Sequence, residues 1–178
     1  MPPDEGPHPP PREISSPQAR ADQQALRDIY EQGVPFAEDG ETYFIRSSTD
    51  QATAGLLTRS DVAEIVVGCL GYDDGRLYEL LCWVLMPDHM HMIMRPLRRG
   101  SGYVPVPEIM QSWKSASAHR INRMLGRSGS FWQDEYFCHL IRSARSYVKL
   151  QHYIRMNPVE AGLVDHPAEW QWHWRRDA

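Results

Sequence analysis

Hydrophobic and polar positions follow recognisable periods from about residue 41 onward. Short apolar runs at residues 42–46, 77–84, 89–94 and 136–141 predict four β-strands. The two middle runs are separated by residues 85–88, whose proline and aspartate are typical of a hairpin connection. These runs predict a sheet in which the second and third strands are neighbours.

Three helices are predicted between and after these strands. The first is expected to be capped by Asp61 and to end at Gly71, and the second to run over residues 107–125. The third is expected to open at Ser143 or Ser146 and to end before Pro158. The inward positions predicted for the first helix are Val62, Ile65, Val66 and Leu70, and those for the second are Ile109, Trp113, Ala116, Ile121 and Leu125.

The predicted element order is β-α-β-β-α-β-α. It indicates an α+β fold of the ferredoxin-like or split βαβ type. In that fold a four-stranded antiparallel sheet carries two helices on one face, and the third helix is an addition at the C-terminal side. Residues 98–102 are predicted to be a loop, and the tryptophan-rich residues 169–174 are expected to pack on the sheet.

The first forty residues have a different composition from the rest. They are rich in proline and acidic residues, which predicts a disordered tail with a short helix near residues 19–32. Residues 41–178 are predicted to form the folded domain. Cys69, Cys82 and Cys138 are expected to be reduced core thiols. No apolar run is long enough to span a bilayer, so we expect a soluble cytoplasmic protein with no membrane partner.

Charge is unevenly distributed along the chain. The whole sequence has a net charge of -4, yet residues 95–157 contain eleven basic and three acidic residues, a local net charge of +8. This segment can offer a basic surface to a polyanion such as nucleic acid. The alternative is that these arginines only form a solvated helix face.

Two histidines lie two residues apart in the third predicted strand. Side chains at i and i+2 of a strand point to the same face, so His89 and His91 can converge on one divalent ion. Met90 and Met92 then point to the other face. The alternative is that both histidines are half-buried residues of an ordinary strand.

The third helix carries two tyrosines in different positions. Tyr147 belongs to the packed stripe, whereas Tyr153 lies roughly 90° from its centre, at the edge of the buried face. Asn157 is one turn above Tyr153 and Lys149 one turn below. A phenol, an amide and an ammonium in line suit attack on a phosphodiester. Alternatively, Tyr153 is a boundary aromatic and Asn157 closes the helix.

Three motifs in order resemble one known family. They are Leu-Met-Pro-Asp-His-Met-His-Met-Ile at residues 85–93, Phe-Trp-Gln-Asp-Glu-Tyr-Phe at 131–137, and Tyr-Ile-Arg-Met-Asn-Pro-Val-Glu-Ala-Gly-Leu-Val at 153–164. Together they resemble the REP-associated tyrosine transposases, a branch of the single-tyrosine HUH transposases. The resemblance extends over about residues 43–174.

This resemblance implies a set of catalytic residues. His89 and His91 match the histidines that bind Mg²⁺ or Mn²⁺, Tyr153 matches the nucleophile, and Asn157 matches the third metal ligand. The implied reaction is cleavage and transfer of single-stranded DNA through a 5′-phosphotyrosine intermediate. Two alternatives are a hairpin-binding protein without catalysis and a hydrolase that uses the metal to activate water.

The family's DNA substrate is a hairpin with a short unpaired foot. We expect basic residues to contact its phosphates and a tryptophan to stack on a base. The candidates for the phosphates are Arg98, Arg99, Lys114, Arg120, Arg123 and Lys149, and those for stacking are Trp113 and Trp132. The family resemblance favours a monomer, with a dimer as the alternative.

Overall fold

The structure is a computed structural model that describes residues 40–176. Its first strand begins at Thr42, close to the predicted start of the folded domain. The tail and the short helix predicted within the first forty residues lie outside the described residues, apart from Gly40. Within the described part, no helix is both long and apolar enough to cross a bilayer.

Five strands form one antiparallel sheet, in the order β6-β1-β3-β2-β7, and two short strands form a separate hairpin. The strands are β1 (Thr42–Ser48), β2 (Tyr78–Leu85), β3 (His89–Pro96), β4 (Arg98–Arg99), β5 (Gly102–Tyr103), β6 (Phe137–Ile141) and β7 (His173–Arg175). The first four strands of the sheet order are those predicted, and they confirm the ferredoxin-like plan. Strand β3 therefore lies at the centre of the sheet.

Three α-helices accompany the sheet. They are α1 (Ser60–Asp73), α2 (Val106–Leu125) and α3 (Ala144–Glu160). Short 3₁₀ turns lie at Gln51–Thr53, Leu56–Thr58 and Pro167–Glu169. The predicted order of helices and strands is confirmed.

The alternation of side chains along β3 separates two hydrophobic cores. Met90, Met92 and Met94 join the larger core, which α1 and α2 cover. Ile93 joins a smaller core on the opposite face, where Ile154 of α3 packs. The two predicted helices thus lie on one face, and the added third helix lies on the face that carries the histidines.

Several local predictions were wrong at the ends of helices. Asp61 is not the cap of α1, because Arg59 precedes the helix and Asp61 lies in its first turn, bonded to Arg59. Helix α3 continues through Pro158 to Glu160. Proline lacks only one N–H, and the last turn closes without it because Ala161 N donates to Asn157 O.

Three further predictions were wrong in side-chain placement or strand assignment. Ala116 is exposed, and the neighbouring Ser117 faces the core instead. The thiol of Cys138 is exposed, whereas the other two cysteines are buried, and all three are free. Residues 98–103 form the short hairpin of β4 and β5 and not simply a loop. The tryptophan-rich segment does pack on the sheet as predicted, with Trp170 and Trp172 against the two cores, and its end also pairs with the sheet edge as β7.

Candidate active site

The two histidines lie on the sheet face that α3 covers. His91 is opposite Arg46 of β1 and Val84 of β2, and His89 is opposite Ser48 of β1. The imidazole rings are 4.8 Å apart between centroids and stand at 81° to each other. The structure therefore brings the two rings together on one face, as the i and i+2 spacing predicted.

The His91 imidazole is buried, with only 1% of the residue exposed. Neither ring nitrogen has a hydrogen-bond partner among the described residues. Burial is the main cause that lowers the pKa of His91 from 6.5 to about 3, and the nearby His89 and Arg46 contribute. The ring is thus neutral at physiological pH, and one nitrogen has a free lone pair.

Asp88 orients the other histidine. His89 Nδ1 lies 2.7 Å from Asp88 Oδ1. This hydrogen bond is the main cause that lowers the pKa of Asp88, so the carboxylate is ionised and can only accept. Nδ1 must then be the donor, which leaves Nε2 of neutral His89 as the acceptor. The Asp88 carbonyl is itself held by Thr49 N and Oγ1, at 2.8 and 3.0 Å.

Tyr153 of α3 lies directly against this site. Its ring centroid is 5.2 Å from that of His91 at an angle of 71°, and 6.2 Å from that of Phe44. Tyr153 is 39% exposed, so its ring packs on one side while part of the residue is open to solvent. The predicted position at the edge of the buried face is confirmed.

Tyr147 is in a different environment. It packs against the smaller core, and its hydroxyl accepts a hydrogen bond from Gln151 Nε2 at 2.9 Å. Burial raises the pKa of Tyr147 to about 12. A half-buried phenol that holds its proton so tightly is poorly suited to nucleophilic attack, which leaves Tyr153 as the better placed of the two tyrosines.

Asn157 and Lys149 lie one helical turn to either side of Tyr153. Asn157 is buried at 8% exposure, and Lys149 is exposed. Two imidazoles and one amide oxygen are donors that a divalent ion such as Mn²⁺ accepts. The unpartnered nitrogens of His91 fit this role. Across residues 40–176, no three His, Cys, Asp or Glu side chains cluster as a metal site, so Asn157 would have to complete the protein ligands.

The arginines predicted in the loop after β3 lie away from the histidines. The strand rises about 3.3 Å per residue, which puts its end at Pro96 roughly 16 Å from His91. Arg98 stacks over Tyr103 at 5.6 Å, and Arg99 forms a double hydrogen bond with Glu108 at 2.6 and 2.5 Å.

The basic residues predicted on α2 belong to the opposite side of the sheet. Lys114 Nζ donates to the carbonyl oxygens of Gln133 and Asp134, at 2.5 and 3.1 Å, and burial lowers its pKa. Arg120 and Arg123 are exposed. Because α2 packs on the face opposite α3, the structure does not bring these three residues together with the histidines and Tyr153.

Trp132 was predicted to stack on a DNA base, but the structure buries it. It is 4% exposed, its indole Nε1 donates to Ser117 Oγ at 2.9 Å, and its ring packs edge-on against Trp113 and Phe131. Trp113 is completely buried. Both indoles are therefore core residues, because the small Ser117 leaves room for Trp132 and supplies its acceptor.

Sequence patterns did not identify three residues that lie near the site. Asp88 adjoins the first histidine, Arg46 lies opposite His91, and Phe137 lies opposite Arg46 on β6. Asp88 could have been found, since a carboxylate beside a ligand histidine often orients it. Arg46 and Phe137 lie beside the site only because β1 pairs with β3 and β6 in this register.

Comparison with known proteins supports one family. The sequence model of the family described as "Transposase IS200 like" matches residues 59–157. The REP-associated tyrosine transposase of Escherichia coli (strain K12) is 28% identical over 95 residues, 53% of each chain. A putative REP-associated tyrosine transposase of Haemophilus influenzae (strain ATCC 51907 / DSM 11121 / KW20 / Rd) is 26% identical over 99 residues, 52% of this chain and 56% of that protein. The chain spans about half the length of these curated relatives.

The fold is also shared with a solved structure, that of a REP-associated tyrosine transposase bound to a REP hairpin. The two align with a TM-score of 0.61 and 23% identity, over 75% of this chain and 76% of the other. The matched family segment includes His89, His91, Tyr153 and Asn157. Because this segment covers more than half of the sequence, the chain belongs to the IS200-like transposase family, and the relatives it resembles are REP-associated tyrosine transposases.

Proposed function

We propose that this protein cleaves and rejoins single-stranded DNA through a covalent bond between Tyr153 and a 5′-phosphate. The observation that carries the proposal is the contact between Tyr153 and His91, whose ring centroids lie 5.2 Å apart. A partly exposed phenol beside a buried imidazole with free nitrogens joins a nucleophile to a candidate metal ligand.

The proposed reaction is a transesterification. The phenolic oxygen of Tyr153 gives up its proton and attacks phosphorus, while the bond from phosphorus to the 3′-oxygen breaks and that oxygen takes up a proton. The phosphotyrosine retains the energy of the broken bond, so a 3′-hydroxyl can attack it in the reverse step without a nucleotide cofactor. Exposed Lys149, one turn from Tyr153, attracts the DNA phosphates by its charge.

The proposed ligands for Mg²⁺ or Mn²⁺ are His89, His91 and Asn157. When bound, the ion supplies Lewis-acid stabilisation of the charge on the phosphate oxygens. Two of these ligands are held in place before binding: Asp88 orients the ring of His89, and Phe44 packs against the ring of His91 at 5.3 Å between centroids.

The proposed substrate is a DNA hairpin with an unpaired segment. Membership of the transposase family supports DNA as the substrate, and the solved relative is bound to a REP hairpin. Exposed Arg120 and Arg123 on α2 are the proposed contacts for phosphates of the paired stem, on the side remote from Tyr153. That the protein acts as a monomer remains a prediction.

The proposal is tested by trapping the covalent intermediate. The full-length protein is incubated with Mn²⁺ and hairpin oligonucleotides taken from the repeats flanking its gene, and a labelled protein-DNA species is sought on a denaturing gel. We expect an adduct with the wild-type protein and none with Tyr153→Phe. Tyr147→Phe is the matched control, because it removes the hydroxyl of a half-buried tyrosine on the same helix and should leave the adduct intact.

Other outcomes distinguish the alternatives. An adduct that persists in Tyr153→Phe would overturn the assignment of the nucleophile. Cleavage that gives free 5′ ends and survives Tyr153→Phe would indicate a hydrolase that activates water. Tight hairpin binding by the wild-type protein, with no adduct and no Mn²⁺ binding, would indicate a DNA-binding protein without catalysis.

A further inference from the structure

An exposed aromatic side chain lies beside the site on the outermost strand of the sheet. Strand β6 is the edge next to β1, and Phe137 is opposite Arg46, which is itself opposite His91. Opposite residues on neighbouring antiparallel strands share one face. Phe137, Arg46 and His91 therefore form one row across the face that carries Tyr153.

Phe137 is held in place by aromatic neighbours while its surface stays open. It is 57% exposed, one of the most exposed large hydrophobic residues in the described part of the chain. Its ring lies nearly parallel to that of His139, at 8° and 6.5 Å between centroids. It also contacts Phe44 edge-on at 6.2 Å. Phe44 in turn packs against Tyr153, so only one ring separates the exposed surface from the candidate nucleophile.

A cation adjoins this aromatic surface. Arg46 is exposed, and the strand register places it between Phe137 of β6 and His91 of β3. An aromatic ring next to a guanidinium group is the arrangement that proteins use for single-stranded nucleic acid, in which bases stack and phosphates bind cations.

We propose that Phe137, with His139 and Arg46 beside it, is a stacking platform that holds an unpaired base of single-stranded DNA next to Tyr153. Arg46 binds the adjoining phosphate. This inference rests on the proposed function, because it names the residues that position the same substrate. Stacking on a phenyl ring tolerates every base, so the platform sets the position of the strand and not its sequence.

The test measures binding without cleavage. Affinity is measured in EDTA by fluorescence anisotropy, with the full-length protein and a labelled oligo-dT of about fifteen nucleotides. An abasic strand of the same length has the same phosphates but no bases. We expect Phe137→Ala to weaken oligo-dT binding about tenfold and to leave abasic binding unchanged, with Phe137→Trp restoring the affinity. Arg46→Ala should weaken binding of both strands and reduce the salt slope by about 0.7.

Tyr72→Ala is the matched control. Tyr72 is 65% exposed and also lies beside an arginine, Arg76, but on α1, which packs on the other face of the sheet. It should not change the affinity for either strand. An equal loss of oligo-dT and abasic binding in Phe137→Ala, or no loss at all, would overturn the proposal that Phe137 stacks on a base. So would a wild-type dimer in sedimentation that Phe137→Ala converts to a monomer without changing DNA affinity. Because this assay does not depend on cleavage, its failure is distinct from failure to form the Tyr153 adduct.

Discussion

Replacing His91 with leucine is expected to stabilise the metal-free protein and to abolish its response to Mn²⁺. The His91 ring is buried, and both of its nitrogens lack a hydrogen-bond partner among the described residues. Each such nitrogen carries a desolvation cost that no contact offsets. A leucine has a similar size and no polar atom, so it removes this cost together with the metal ligand.

The magnitude follows from two opposing terms. An unsatisfied buried polar group costs about 1–3 kcal/mol, so the two nitrogens together cost about 4 kcal/mol. Loss of the ring contacts of His91 with Phe44 and Tyr153, at about 0.5–1.5 kcal/mol each, costs about 2 kcal/mol. The expected net gain in the free energy of unfolding is about 2 kcal/mol, or roughly 4–8 °C in Tm for a chain of this size. Bound Mn²⁺ at a hundred times its dissociation constant would stabilise the wild-type protein by about 2.7 kcal/mol.

The assay is thermal unfolding at pH 8, in EDTA and across a series of Mn²⁺ concentrations. Ser47→Ala is the matched control, because Ser47 Oγ is also buried without a partner in the part of the chain described, on the face away from the site. It should raise Tm without altering the Mn²⁺ response. The reasoning is refuted if His91→Leu lowers Tm in EDTA, or if Mn²⁺ stabilises that variant as much as the wild type.

Three further predictions concern the packing away from the site. Ser117→Ala should lower the free energy of unfolding in urea by about 1–3 kcal/mol without changing DNA affinity, because it leaves the buried Trp132 Nε1 without its acceptor. The Tyr78 hydroxyl donates a hydrogen bond to Leu70 O, and burial raises the pKa of Tyr78 well above 10. The contribution of this protonated phenol to the free energy of unfolding is therefore fully present below pH 10 and is lost as the pH rises beyond it. Tyr78→Phe should therefore reduce the alkaline loss of stability by up to about 1.4 kcal/mol per pH unit. Cys138 should react with a disulfide reagent in the native protein, and the other two cysteines only after unfolding.

Each of these predictions has a result that contradicts it. A Ser117→Ala variant that binds DNA more weakly at unchanged stability would indicate that Trp132 contacts DNA. An unchanged alkaline slope in Tyr78→Phe would show that another group causes the loss. Reaction of two or three thiols in the native state would contradict the burial of Cys69 or Cys82. In this last assay, Cys138→Ser is the control that should remove the native reaction.

Local periodicity accounts for the parts of the fold that were predicted correctly. The alternation of methionine with histidine along residues 89–94 predicted which side chains share a face, and the structure divides them between two cores accordingly. Helical spacing likewise separated Tyr147, which packs against the smaller core, from Tyr153 at the boundary. These predictions needed only the fixed geometry of one strand or one helix.

Periodicity could not predict contacts between distant segments. Trp132 was expected at the DNA surface, but its burial depends on Ser117 of α2, fifteen residues earlier in the chain. Pro158 was expected to end α3, but only the hydrogen bonds of the following turn decide where a helix stops. The strand β7 was not predicted, because three residues form a strand only when an edge such as β2 is available to pair with them.

The sequence by itself determined the element order, the shared face of His89 and His91, and the helical alignment of Tyr153 with Asn157. These properties depend on backbone geometry within one element. Only the tertiary structure decided that Tyr153 lies against His91, that Asp88 orients His89, and that Arg46 and Phe137 stand in the same row. Strand register and helix docking depend on packing summed over distant segments, and no single stretch of sequence contains that information.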